Sequence, residues 1–158
     1  LNLMIRDMHF KSLGKENPKE LEIGDKLICR KNNWMRECDN VNLINGLVGN
    51  VTGINYEIKE PNCVAIDFKP DFLKDTFENV MLNLPYFTGN RLLKERIKSS
   101  PHDGDLFEYG YAITCHLAQG SQYEKVIVFA ERLGDLSLYR KWLYTAVTRA
   151  SSKLILII

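Results

Sequence analysis

Between two apolar stretches, residues 112–129 read AITCHLAQGSQYEKVIVF, and the polar residues in the middle are of types that bind ligands. His116 can hydrogen-bond or carry charge near neutral pH. Gly120 lets backbone N–H groups come close to a phosphate, and Gln119, Ser121 and Gln122 add neutral donors and acceptors. A second set follows in WLYTAVTRAS, where helical spacing puts Thr145 one turn before Arg149, on the flank of an apolar stripe, and Thr148 on the opposite side. A guanidinium is permanently charged and forked, which suits it to bridging phosphate oxygens or to stabilising charge in phosphoryl transfer. Each set also fits a plainer role: a polar turn with a satisfied His, and a helix-terminal Arg that meets the helix dipole or a surface carboxylate. Cys115 beside His116 hints at a metal or a nucleophile, but neighbours on a strand point to opposite faces. Cys29, Cys38, Cys63 and Cys115 are irregularly spaced with no CxxC pair, so they read as reduced, structural thiols.

These residues need elements to hold them. YAITC, KVIVFA and KLILII are apolar without alternation, the pattern of central parallel strands covered on both faces. Between the last two, Tyr139, Leu143, Ala146, Val147 and Ala150 follow helical spacing. Strand, loop, strand, helix, strand is α/β logic. Thr114 and His116 then lie at or just beyond the carboxyl end of the first strand, the edge where open α/β sheets take ligands.

Upstream the pattern differs. KLIC reads as a strand after the Gly24-Asp25 turn, and in NGLVGNVTGI the glycines at 46, 49 and 53 mark turns and bulges. Val64, Ile66 and Phe68 alternate with Ala65, Asp67 and Lys69, the period of a half-buried strand. DTFENVMLNLPYF can add another strand. Short strands with glycine turns point to a small barrel of the SH3 type. The expected organisation is a discontinuous α/β domain from residues 1–47 and 106–158, with a β module of residues 48–105 inserted. Two sequential domains would leave the first 47 residues short of a core.

The chain has 158 residues, 45% of them hydrophobic, and a net charge of +1. That balance demands no polyanion, so nucleic-acid contact has to come from a local constellation. The basic run RLLKERIK reads as a solvated helix face. No apolar run approaches the roughly 20 residues of a membrane span, and LNLMIRDMHF lacks the order of a signal peptide; the cytoplasm is the expected compartment.

Taken together, YAITCHLAQGSQYEKVIVF followed by KWLYTAVTRASSKLILI closely resembles the last two motifs of superfamily 1 DNA helicases of the RecD and Dda type, the 5′-to-3′ branch. LEIGDKLICRKNNW with LINGLVGNV is similar to the strand and Asn-Gly turn that lead into that family's inserted SH3-like module. The resemblance implies a RecA-like (P-loop NTPase-type) second motor domain with a parallel sheet, interrupted by a small SH3-like β-barrel. It implies single-stranded DNA contacts at Thr114 and His116, a nucleotide-side turn at Gln119 and Gly120, and an arginine finger at Arg149. Gln122 stands where relatives often carry a Glu linked to the nucleotide sugar. Leu117 replaces a Lys common in the family, so one cationic DNA contact is absent.

No G-x-x-x-x-G-K-[ST] occurs, nor an Asp-Glu pair after an apolar strand, so the chain has no phosphate-cradling loop and no evident magnesium ligands. The resemblance implies that ATP and Mg2+ are bound mostly by an N-terminal motor domain outside this chain. It also implies that the chain is the C-terminal half of a longer helicase and is inactive alone. The competing reading is a non-catalytic module in which the β part binds nucleic acid or a protein and the α/β part is scaffold.

Overall fold

The computed structural model describes residues 1–58, 60–131 and 134–158, which form two compact units, Leu1–Ala112 and Ile113–Ile158. The first unit opens with helix α1 (Asn2–Ser12) and continues through β1 (Lys26–Cys29), β2 (Asn33–Cys38), β3 (Val41–Leu43), β4 (Val48–Asn55), β5 (Cys63–Pro70) and β6 (Phe77–Asn83). Two helices, α2 (Leu84–Thr88) and α3 (Arg91–Ser99), and the short strand β7 (Phe107–Tyr109) complete it. Five of the strands make one antiparallel sheet in the order β6-β5-β4-β1-β7, and β2 and β3 form a separate hairpin.

In β5 Val64, Ile66 and Phe68 are buried as the period of two requires, but Ala65 on the opposite face is buried as well, while Asp67 and Lys69 of that face reach solvent. Val64, Ile66 and Phe68 join Leu27, Val51, Val80 and Phe107 in one apolar core, where the Phe68 and Phe107 rings meet edge to face at 5.0 Å. Gly49 is needed because β4 and β5 run unusually close there; a Cβ at that position would lie against the Lys69 carbonyl. Ladder irregularities between Val51 and Gly53 and between Ile66 and Phe68 add the local twist that curls a sheet.

The curl brings the edges together at one place. Leu82 and Asp105 form an isolated parallel bridge, with the Asp105 N–H donating to the Met81 carbonyl at 2.5 Å and the Asn83 N–H donating to that of Asp105 at 2.9 Å. The expected closed SH3-type barrel is not formed. Among the described residues β7 pairs only with β1, and the sheet's two ends meet only through the Leu82–Asp105 bridge beside it. The sheet also takes in strands from both sides of the anticipated boundaries at 47/48 and 105/106, because β1 hydrogen-bonds to β4 on one edge and β7 on the other.

In the second unit, β8 (Tyr123–Phe129) and β9 (Ala150–Ile157) pair in parallel around the crossover helix α4 (Leu136–Val147). Asp135 caps α4 by accepting the Leu138 N–H at 2.8 Å. Two expectations change here. YAITC is not a strand: its first residues belong to the other unit, where the Asn2 side chain takes both the N–H and the carbonyl of Ala112. From Thr114 the chain runs in tight turns, with the N–H groups of Leu117, Ala118, Gln119 and Ser121 donating to carbonyls three or four residues back. The parallel strands are not covered on both faces either. Ile127, Phe129, Leu154, Ile155 and Ile157 are between 41% and 58% exposed, because the described sheet of this unit has only two strands.

Candidate functional site

The candidate residues of the second unit lie in a turn and at a helix end that the fold joins directly. From Thr114 the chain coils through successive turns: the N–H groups of Leu117 and Ala118 both donate to the Thr114 carbonyl at 3.0 and 3.1 Å, and that of Ser121 donates to the Ala118 carbonyl at 3.1 Å. Only Ala118 of this stretch is buried, and Thr114, His116, Gln119, Gly120 and Gln122 are exposed. Gly120 sits at φ +83° with nothing within 4 Å of where a Cβ would be. Its role is therefore to take the left-handed turn, and the space beside it is open. Among the described residues the N–H groups of Gly120 and Gln122 find no acceptor, so two main-chain donors of the loop are unspent.

Helix α4 ends at Val147, and Arg149 lies beyond it, in the short connection into β9. It is thus not on the helix flank. Its half-buried guanidinium folds back: Nε donates to the Thr145 carbonyl at 3.0 Å, Nη1 to the Ser121 carbonyl at 3.0 Å, and Nη2 to Thr148 Oγ1 at 3.2 Å. Thr148, expected on the opposite side, is on the same side as Arg149, since its hydroxyl also bonds the Tyr144 and Thr145 carbonyls where the helix terminates. The main chain repeats the link, because the Tyr123 N–H donates to the Arg149 carbonyl at 2.8 Å.

The structure therefore brings Arg149 onto the Gln119–Gln122 loop through Ser121. Thr114 and His116 sit at the start of the same coil and make no hydrogen bond to Arg149. Ser121 was not singled out for this role, and its contribution is a carbonyl oxygen, which residue type does not reveal. Cys115 donates to the Trp142 carbonyl at 3.7 Å; burial pushes its thiol above the usual range although the Arg149 charge opposes this, which favours the structural role over a nucleophile.

A guanidinium has five N–H donors. Three are engaged among the described residues, so two remain for an anion without breaking those contacts. Together with the unspent N–H groups at Gly120 and Gln122, this fits one side of a phosphate chain. It does not fit the metal: among the described residues no group of three His, Cys, Asp or Glu side chains is placed to hold one.

One match to known proteins falls on the same region. The family model of the UvrD-like helicase C-terminal domain matches residues 109–157. An uncharacterized protein of Methanocaldococcus jannaschii is 41% identical over 51 residues, 32% of this chain and 4% of that protein. Among solved structures, Bacteroides Pif1 bound to ssDNA superposes over 100% of this chain with a TM-score of 0.53 at 15% identity. A structure of two coordinating Pif1 helicases at forked dsDNA does so with 0.54 at 18%, and Pif1 helicase from Candida albicans with 0.52 at 16% over 87%. The chain spans 31 to 39% of those three solved chains. At these identities the likeness shows the fold, a mixed α/β arrangement shared with part of those helicases.

Proposed function

We propose that this chain is the second motor domain of an ATP-dependent superfamily 1 DNA helicase of the RecD and Dda branch, acting in the cytoplasm. The observation that carries the reading is the Arg149 guanidinium seated on the Ser121 carbonyl, which joins the two motif segments inside the stretch matched by the helicase family model. In the intact enzyme, Arg149 reaches across a cleft to the γ-phosphate held by an N-terminal motor domain of the same polypeptide. Gln119, Gly120 and Gln122 contact the nucleotide from this side, and Mg2+ is held by the other half. Thr114 and His116 contact single-stranded DNA. Strands β4, β5 and β6 lie in the SH3-like insertion, proposed for residues 48–105 between α/β parts at 1–47 and 106–158, and β1 and β7 join them from the flanking parts. Support for a larger assembly comes from the apolar strands β8 and β9, whose exposed Ile and Leu side chains call for further covering elements.

ATP supplies the phosphoryl group and its free energy of hydrolysis. This chain's residues position and neutralise: the two free N–H donors of Arg149 stabilise developing negative charge. The Ser121 carbonyl holds the guanidinium in plane, and the coil from Thr114 to Gln122 links the DNA side to the nucleotide side in nine residues.

The test is a pair of variants in the intact protein. Arg149→Ala is expected to lower ATP turnover by about 10³ to 10⁵ while leaving single-stranded DNA affinity nearly intact. Arg149→Lys, which keeps the charge and loses the fork, is expected to recover little of it. His116→Ala is expected to weaken DNA binding and DNA stimulation more than basal turnover. Steady-state ATPase with and without DNA, beside anisotropy titrations, separates the two. Wild-type turnover in Arg149→Ala together with lost DNA binding would require the arginine-finger role to be withdrawn and would favour the non-catalytic binding module.

A further inference from the structure

The hairpin of β2 and β3 carries a feature that the reading above does not use. Its register jumps, Asn33 pairing with Leu43 and Glu37 with Asn42, so Trp34, Met35 and Arg36 are pushed out of the ladder. The bulge is fastened from beneath. Asn33 accepts the Met35 N–H on Oδ1 at 3.0 Å and donates from Nδ2 to Asp105 Oδ1 at 2.8 Å. Asn42 Nδ2 donates to the carbonyls of Trp34 and Arg36 at 3.3 and 3.4 Å. The Arg36 guanidinium donates to the carbonyls of Glu78 and Asn79 at 3.3 and 2.9 Å, and its Nε lies 3.3 Å from Asp105 Oδ2. At the crest, Trp34 is 68% and Met35 96% exposed. Two large apolar side chains are thus held in water by a polar frame that gains nothing from exposing them.

The surroundings select the occupant. Residues 30–37, RKNNWMRE, hold three cations and one acid, Glu37, which closes the bulge. Arg30 and Lys94 share the one carboxylate of Glu108 at 3.0 and 3.1 Å, Arg36 has Asp105, and exposed Lys31 has no carboxylate partner among the described residues. Four cations, Arg30, Lys31, Arg36 and Lys94, against the three carboxylates of Glu37, Asp105 and Glu108 leave one positive charge in excess beside the bulge. Two side chains are far too little for a protein interface, which needs about 800 Å² on each partner, whereas one indole matches one base, and aromatic side chains interleaved with cations are how single strands are held.

We propose that the Trp34–Met35 bulge is a stacking platform for a base of single-stranded DNA, with Lys31 beside the neighbouring phosphates. The choice of polymer rests on the function proposed above, while the contact itself rests on the bulge.

The probe is oligothymidylate of about 16 nucleotides, within the site sizes typical of single-strand binders. In the 158-residue chain carrying Trp142→Phe, Trp34 is the one tryptophan left, and its emission is expected to be quenched as the oligonucleotide saturates. In the intact protein Trp34→Ala is expected to weaken binding roughly 5- to 100-fold, the range of one lost stacking contact, with an unchanged circular dichroism spectrum. Trp34→Phe is expected to restore most of it, and Lys31→Ala to flatten the salt dependence. Unchanged affinity in Trp34→Ala, oligonucleotide binding without quenching, no binding at all, or quenching by self-association in the absence of DNA would each overturn the proposal. These outcomes are read without ATP, so failure here is distinct from failure of the Arg149 assignment, which is read in turnover.

Discussion

Arg6 shows how little of a residue's role its type discloses. It lies on α1, 4% exposed, and meets Asp25, which is fully buried, through Nε at 2.5 Å and Nη2 at 2.8 Å. Its Nη2 also donates to the Lys19 carbonyl at 2.6 Å, and the rings of Phe10 and Tyr109 lie 5.1 and 5.0 Å away. Burial works against the charge, but the hydrogen bond and charge of Asp25 outweigh it, so the guanidinium is held above its ordinary range. Asp25 is further satisfied by the Glu22 N–H and the Tyr111 hydroxyl. Removing one member of such a pair strands a buried charge. Arg6→Ala is expected to destabilise the chain by about 3 to 5 kcal/mol, and the double change Arg6→Met with Asp25→Leu to recover part of that loss. Urea melts of the three proteins check it; an Arg6→Ala curve that overlays the wild type would show that the pair does not anchor α1. Nothing in NLMIRDMHFKS foretold this, because a helix face with one Arg among apolar residues gives no hint that an acid 19 positions away will be buried against it.

At the scale of elements, legibility followed local pattern and failed where a partner decided. β5 was readable from Val64, Ile66 and Phe68 alone, since alternation depends only on which face is buried. Ile66 is fully buried, so Ile66→Ala is expected to cost roughly 2 to 5 kcal/mol; thermal or urea unfolding measures it, and a loss well under 1 kcal/mol would mean the sheet collapses around the cavity rather than enclosing a packed core. YAITC misled because an apolar run states only that burial is wanted, not by what, and here Asn2 claims the main chain of Ala112. β8 and β9 paired in parallel as their composition suggests, while their coverage depends on elements that the pattern cannot supply. The β2–β3 hairpin went unread although a signal was present: Asp39 and Asn40 both have positive φ, 53° and 60°, the conformation of a two-residue hairpin turn that favours this residue pair. Polar RKNNW and ECDN masked it. In the candidate site, the residue types of the loop and of Arg149 were legible, and their junction through the Ser121 carbonyl was not.

At the scale of the whole chain, the function proposed above gives these groups the part of one half of a site. The sequence has a loop with open donors and a forked cation, but no phosphate-cradling glycine loop followed by Lys and Ser or Thr, and the described residues gather no metal-holding carboxylates. Arginine fingers act on a nucleotide that something else has bound, oriented and charged with Mg2+; their contribution is differential stabilisation of the transition state, not capture of the substrate. Two free N–H donors on Arg149 and two main-chain N–H groups beside Gly120 can neutralise part of a triphosphate, yet in water and without a metal such exposed contacts are each worth little. The 158-residue chain is therefore expected to bind ATP weakly and to release no phosphate above background. Phosphate release from the purified chain, measured with Mg2+ and with oligonucleotide present and absent, checks this directly. Turnover that needs Mg2+, persists through further purification and disappears in Arg149→Ala would falsify the half-site reading, because the same side chain would then be acting on a nucleotide held entirely by this chain.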